Sequence, residues 1–429
     1  MSGPKSSRYT LTPEQRRILA EQRRIERAKA VANETIKRNR VALKRLSIAA
    51  LHETIVAKEA VSRLGNDGGY AQKTNELLRV ISEAETTVAR VDSNSLSSLE
   101  SAAKATSESL KKAEQLKKEI QNIVSACEAK VRTDIAAALD DSFSASFADI
   151  RPAVSNVSQK KEEIRSRIQT VRKTAVLSEE LYAELGHAEK LTTAILDEQF
   201  LKNHIAITVN PLLKRCAAYA EAYRANHEEY ETLYSEYTAL CELYHFAAQQ
   251  YPFSVESISV LQTEIERIKA TAEKQAEQAY IQQALDEVMT EMGYSVIGSR
   301  EVTKRNGRHF RNELFTYGEG TAVNVTYSPD GKIAMELGGL DTKDRTPTDA
   351  ESAALCDEME SFCDSFKEIE KRLLAKGVVL ASRVQLLPPD AAYASIINTS
   401  DYDMKSQTKR FSAQTHRGKA AEKKTMKAE

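Results

Sequence analysis

The chain has 429 residues, with 61 Lys and Arg against 62 Asp and Glu, a formal charge of −1, and 41% hydrophobic residues. Near-neutral charge excludes a globally basic, histone-like chain, and the apolar fraction excludes a highly charged disordered one. There is no Trp, and only 15 Gly and 9 Pro interrupt the length, so a chain this poor in turn formers and 29% charged is mostly helix.

The five cysteines, Cys127, Cys216, Cys241, Cys356 and Cys363, are scattered without a CxxC pair, which speaks against a disulfide framework or a zinc site. No signal-peptide core and no run of about 18 apolar residues occurs. A soluble cytoplasmic protein with free thiols and no membrane contact is expected.

Residues 1–11 read as a flexible segment. Thr12-Pro13-Glu14-Gln15 opens the first helix, with Thr as the cap and Pro at the first helical position. Its apolar stripe runs from Ile18 and Ile25 through Ala32, Ile36, Leu43 and Leu46 towards Leu64, where Gly65-Asn66-Asp67-Gly68-Gly69 ends it. A second helix is expected over 70–91. A third starts at Leu96 and turns near Phe143, Phe147 and Pro152. Val157, Ile164, Ile168 and Val171 form a further stripe, with Lys161 at a core-type position. Ser178 caps a shorter helix that should reach Leu201. Asn210-Pro211 should start the next, in which Tyr223, Tyr230, Tyr237, Tyr244 and Tyr251 recur every seven residues like a coiled-coil seam. Pro252 should end it, and Ser254 caps a helix running towards Met292. Short breaks between long helices imply antiparallel neighbours.

From Gly293 to Gly377 there are nine Gly, and strands alternate with turns. The expected order over 279–398 is α-β-β-β-β-α-β, with hairpins at Arg305-Asn306-Gly307-Arg308 and Ser328-Pro329-Asp330-Gly331 and a helix capped by Thr348. Residues 399–429 read as a basic disordered tail. The fold class expected is therefore mostly α: a long antiparallel helical, coiled-coil array over 12–278, then a small α+β domain with an antiparallel meander.

Charge is segregated. Residues 1–50 carry +9, the tail from Met404 carries +6, and the remainder −16. Gln15-Arg16-Arg17-Ile18 is echoed by Gln22-Arg23-Arg24-Ile25, so Arg16, Arg17, Arg23, Arg24 and Arg27 are candidate anion or nucleic-acid contacts. No stacking aromatics interleave with them, and a helix face paired with the acidic middle of the chain is favoured. Tyr223, Tyr230, Tyr237 and Tyr244 are the candidate partner stripe, although a packed seam is the favoured explanation.

Walker A, GxGxxG, GxSxG and HExxH patterns are missing, so nucleotide, dinucleotide, serine-hydrolase and zinc-protease chemistry lose ground. Glu184/His187 and Glu242/His245 match the Glu-x-x-His spacing of di-metal bundles. Gly186 lies inside the first pair, and the second points off its seam. No catalytic residue, cofactor or metal is implied. The expectation is a non-enzymatic, elongated coiled-coil scaffold or adaptor that binds protein partners, or itself, through helix seams and the C-terminal domain. The alternative is a nucleic-acid-associated accessory protein using its basic N-terminal helix and tail.

Overall fold

A computed structural model describes residues 4–63, 69–144, 156–303 and 309–404. It divides the chain into two compact units, one of residues 1–23 and 270–429 and the other of residues 24–269. Elements follow in chain order: β1 (Lys5–Leu11), α1 (Pro13–Arg63), α2 (Tyr70–Ala89), α3 (Leu96–Ser144), α4 (Asn156–Thr174), α5 (Glu179–Ala194) and α6 (Glu198–His204). After a π-helical turn, Ile205–Val209, come α7 (Asn210–Tyr244), α8 (Val255–Glu291), β2 (Val296–Thr303), β3 (His309–Gly318), β4 (Thr321–Tyr327), β5 (Lys332–Asp341), α9 (Asp349–Ala375), β6 (Val378–Leu386), β7 (Ile396–Asn398) and β8 (Asp403–Met404). The fold is mostly α with an antiparallel sheet meander. The turns expected at 65–68, 147–152 and 305–308, and the tail beyond residue 404, lie outside the described residues.

In the first unit the sheet order is β6-β1-β5-β4-β3-β2-β8, with β7 also on β5. The meander β2 to β5 matches the order read from the sequence. The segment expected to be flexible does not behave so. Residues 5–11 form a strand paired antiparallel to both β5 and β6. It is retained because Tyr9 and Leu11 alternate into the core, 8% and 3% exposed, where they complete a surface that β5 and β6 leave open. Lys5 on the same face is 2% exposed, its ammonium 4.2 Å from the Phe362 ring centre and 4.6 Å from that of Phe366. Burial lowers its pKa to about 8.

One face of the sheet packs on α9 and on the part of α8 that belongs to this unit. Ile281, Leu285 and Val288 from α8 meet Phe362, Phe366 and Ile369 from α9 over Phe315, Val325 and Met335. Thr348 and Glu351 form a reciprocal capping box at the start of α9, as Thr348 foretold. Gly377 turns the chain from α9 into β6 at φ +76°, where its carbonyl accepts from Thr12 N–H at 2.8 Å. A Cβ there would lie 3.0 Å from the side chain of Gln15.

The opposite face carries a smaller cluster of Ile297, Leu314, Ala322, Leu340 and Tyr402. This corrects the expected boundary of the tail at 399. Thr399 Oγ1 donates to the Asp341 carbonyl at 3.0 Å, Tyr402 is 7% exposed, and β8 pairs with β2. Tyr402 and Met404 have an apolar surface to cover, so residues 399–404 belong to the sheet unit.

Among the described residues, four local clusters hold the second unit. Leu43 of α1 joins Leu77, Ile81, Ala113, Leu116 and Ile120 of α2 and α3. Ala32 and Ile36 meet Leu99 and Ala102. Ile164 and Ile168 pack on Leu181, Leu185, Leu201 and Leu212. Tyr230, Tyr237 and Leu240 pack on Ile258, Leu261, Ile265 and Ile268.

Helix boundaries differ from the sequence reading at three places. The helix from Ser178, whose hydroxyl does cap Leu181 N–H, stops at Ala194 instead of Leu201. Ile195 takes an extended conformation that buries its side chain, and Asp197 caps α6 through Phe200 N–H at 2.7 Å. Asn210-Pro211 does not begin a new helix. The backbone before it is already helical, and Asn210 N–H reaches Ile205 O in a π turn. Pro211 has no N–H to continue the ladder, and the widened turn accommodates it. The same helix ends earlier than Pro252. His245 enters the left-handed region at φ 58°, and Phe246 N–H closes on Cys241 O at 2.9 Å. Tyr251 is thus off the helix.

Candidate partner-binding cleft

Tyr223, Tyr230, Tyr237 and Tyr244 do share one face of α7, but that face is turned inward. Phe253 meets the rings of Tyr223 and Tyr230 edge-on at 4.9 and 5.3 Å. Tyr251 folds back on Tyr237 at 5.4 Å, and its carbonyl accepts from the Tyr230 hydroxyl at 2.5 Å. Gln249 N–H donates to the Tyr237 hydroxyl at 2.9 Å. Burial pushes the Tyr230 and Tyr237 hydroxyls up to about 12. Tyr230 and Tyr237 are therefore buried in an intramolecular seam with their hydroxyls bonded, Tyr223 and Tyr244 are half-buried at its ends, and the Tyr244 hydroxyl has no hydrogen-bond partner among the described residues.

The five arginines are not brought together either. Arg16 donates to Thr10 and, at 3.2 Å, to Glu277 of α8. Arg23 donates to Ala272 O at 2.9 Å. Arg17 is exposed. Arg24 and Arg27 fall in the other unit, Arg24 exposed and Arg27 half-buried. The pairing of α1 with the acidic middle occurs further along the helix. Arg38 stacks on Tyr234 at 4.9 Å and bonds Glu231 and Ser235, and Lys37 lies 3.5 Å from Glu242. Glu184 is engaged by Arg215 at 2.7 Å.

Sequence reasoning missed the best-formed site. On α8, Lys274, Gln278 and Ile281 repeat at helical spacing and border a cleft of about 220 Å³ against β1 and the β4–β5 hairpin. Its floor is apolar: Ile281, Ile333 and the ring of Tyr327. The hairpin tip is fixed on both sides, since Gln278 Nε2 donates to Pro329 O at 3.2 Å and Arg8 pairs with Asp330 at 2.9 Å. Glu277 closes one end. Burial pushes its carboxyl up, but Thr10 Oγ1 at 2.7 Å, Leu11 N–H at 3.1 Å and Arg16 outweigh that and hold it below the usual range.

Asp330 is likewise lowered by Arg8. The two acids of the rim are therefore committed to cations of their own unit. Lys274 and Lys332 enter no ion pair among the described residues, and they leave the rim with positive charge above an apolar floor. Among the described residues no histidine or cysteine lines the cleft. The arrangement suits holding an apolar side chain beside a carboxylate. The signal available in the sequence was the Ser328-Pro329-Asp330-Gly331 turn, but its opposite wall on α8 comes from helix packing that no local pattern encodes.

A shallower trough between α4 and α5 is lined by Arg165, Arg172 and Lys190. Glu189 sits among them, 3.0 Å from Arg172. Among the described residues no helix is long and apolar enough to cross a membrane. No protein-family model, no curated protein and no solved structure matches the chain.

Proposed function

We propose that the protein is a non-enzymatic cytoplasmic scaffold or adaptor whose α+β unit holds a protein partner at the α8–hairpin cleft. The observation that carries this reading is the pairing of an apolar floor, Ile281 and Ile333, with the two lysines Lys274 and Lys332 on the rim. A partner segment with a medium apolar side chain next to Asp or Glu matches both. The helical unit also exposes single apolar side chains, Leu196, Phe200 and Ile207, at 88%, 63% and 76%. Nucleic acid is the weaker reading because Arg16 and Arg23 direct donors at Glu277 and at the Ala272 carbonyl rather than outward.

The test is a photo-crosslinking amino acid at Gln278 or Ser328, with a control at the exposed Glu108 of α3. A discrete protein adduct at both cleft positions, insensitive to nuclease and lost in Lys274→Glu/Lys332→Glu, is expected. Absence of any adduct at the cleft, or one removed by nuclease, would overturn the reading.

A further inference from the structure

Where α8 packs on β3 and β4, two carboxyl groups meet, and among the described residues only one of them has a cation. Glu313 of β3 shares its sheet face with Arg311 and Phe315, and is 3% exposed. Its Oε1 accepts from Arg311, while its Oε2 is buried and has no hydrogen-bond donor among the described residues. Asp286 of α8 lies within hydrogen-bond reach of Glu313, and its Oδ1 accepts the Tyr327 hydroxyl at 3.0 Å. The groups around the pair are Arg311 and Glu313 from β3, Tyr327 from β4, and Ser299 and Glu301 from β2, which stand opposite Glu313 and Arg311 in the ladder. On α8 itself the next acid, Glu287, is turned to Lys376 at 2.8 Å.

Two ionised carboxylates in this place would carry one negative charge more than Arg311 neutralises. A buried carboxylate oxygen without a donor is costly, and the Tyr327 hydroxyl is already given to Asp286. One proton resolves both problems. Carried on Asp286 Oδ2, it donates to Glu313 Oε2, and Asp286 Oδ1 goes on accepting from Tyr327. Every polar atom of the pair is then satisfied, and the cluster is neutral.

We propose that Asp286 and Glu313 share a single proton, and that its release to solvent loosens the docking of α8 residues 282–291 on the sheet, which makes this unit a proton-responsive element. Burial, and then the Glu313 charge, push the Asp286 carboxyl far above the ordinary range, to about 7. The sign follows. A carboxyl raised in the folded state holds a proton that the unfolded chain has lost, so stability falls as pH rises from the ordinary carboxyl range towards 7, then levels off. This device does not depend on what occupies the cleft.

The experiment is amide hydrogen exchange of the full chain, read by mass spectrometry at pH 5.5 and 7.5 and corrected for the intrinsic rate. In the wild type, protection over 282–291 and 309–318 should fall by roughly tenfold or more between the two values, because linkage allows up to ~tenfold per pH unit across the shift. In Asp286→Asn, whose amide is a permanent donor to Glu313, it should change by no more than about twofold and exceed the wild type at the higher pH. Equal pH dependence in the two proteins would overturn the proposal. A second measurement covers the case in which the variant does not fold. Infrared spectra of the wild type should show one protonated carboxyl persisting at pH 6 and gone at pH 8. No such band, or one indifferent to pH, would overturn it as well.

Discussion

The two units solve stability in opposite ways. In the sheet unit, one core joins residues from both ends of the chain: Tyr9 and Leu11 at one end, Phe362, Ile369 and Val378 at the other. In the helical unit, the described residues form four clusters that each draw on neighbouring helices, and no single one of them serves all four. A core assembled from distant segments must form together, whereas locally packed helices open piecemeal. One chain thus combines a region expected to open cooperatively with one of graded stability.

The largest effect should come from deleting residues 1–11. That removes the strand between β5 and β6 along with Lys5, Tyr9 and Leu11. A fragment of residues 280–404 should likewise fail to give a dispersed amide spectrum, and fusing residues 4–12 to it should restore one. If the bare fragment folds and melts cooperatively, the strand is an accessory and the contrast between the units collapses.

Next come single core truncations, which should differ in reach more than in size. Phe362→Ala should destabilise its unit by about 3–5 kcal/mol and Ile168→Ala its own by about 2–4 kcal/mol. Hydrogen exchange should rise over all of β1 to β6 in the first case, and only over α4 to α7 in the second. Exchange spreading through the whole helical unit in Ile168→Ala would show a cooperativity that four separate clusters do not supply.

How far the sequence showed this difference depends on where each signal resides. Caps are local, so Pro13, Ser178, Ser254 and Thr348 announced their helices correctly. The meander was legible because Val323, Val325 and Tyr327 alternate, as do Ile333, Met335 and Leu337. β1 was hidden since Lys5-Ser6-Ser7-Arg8 is polar and its partners lie at the other end of the chain. Tyr251 kept the heptad period yet left the helix, because His245 takes a left-handed conformation that the period does not encode. The acid pair left one trace: Glu313 falls on the apolar face between Arg311 and Phe315. Its partner Asp286 is set by how α8 packs, which only the tertiary structure fixes.

A third prediction uses Lys5. The folded state lowers its pKa to about 8, so the unfolded chain binds more protons between there and the ordinary lysine range. Stability of the sheet unit should then rise with pH across that window, with the penalty fully present at pH 7. Lys5→Met should remove the slope and raise stability at pH 7 by on the order of 1–3 kcal/mol. Destabilisation by Lys5→Met at pH 7 would mean that the ammonium–ring contacts outweigh desolvation.

Within the tyrosine seam the expected effects are smaller. Tyr237→Phe leaves Gln249 N–H without its acceptor and should lower stability by about 1 kcal/mol. Exchange should rise in residues 245–254 and leave α2 and α3 unchanged. A drop in self-association with no change in stability would instead return the stripe to the surface.

The smallest effect is expected where charge is densest. Changing Arg16, Arg17, Arg23 and Arg24 to Gln keeps helix propensity nearly constant. It removes the 3.2 Å Arg16–Glu277 pair and the Arg23 bond to Ala272 O. The Arg16 side chain is about half exposed, and an exposed pair contributes only about 0–1 kcal/mol. The midpoint of the sheet unit should therefore shift slightly. Glu277 keeps Thr10 and Leu11 N–H as donors, so the end of the cleft stays closed. Each phosphate that an arginine no longer neutralises would lower the salt slope of duplex DNA binding by about 0.9, which makes anisotropy titrations at two salt concentrations the discriminating measurement. Unchanged weak binding is expected. Sub-micromolar binding near physiological salt that vanishes in the variant would show that these arginines serve a phosphate backbone, and that their bonds to α8 are what the nucleic acid displaces.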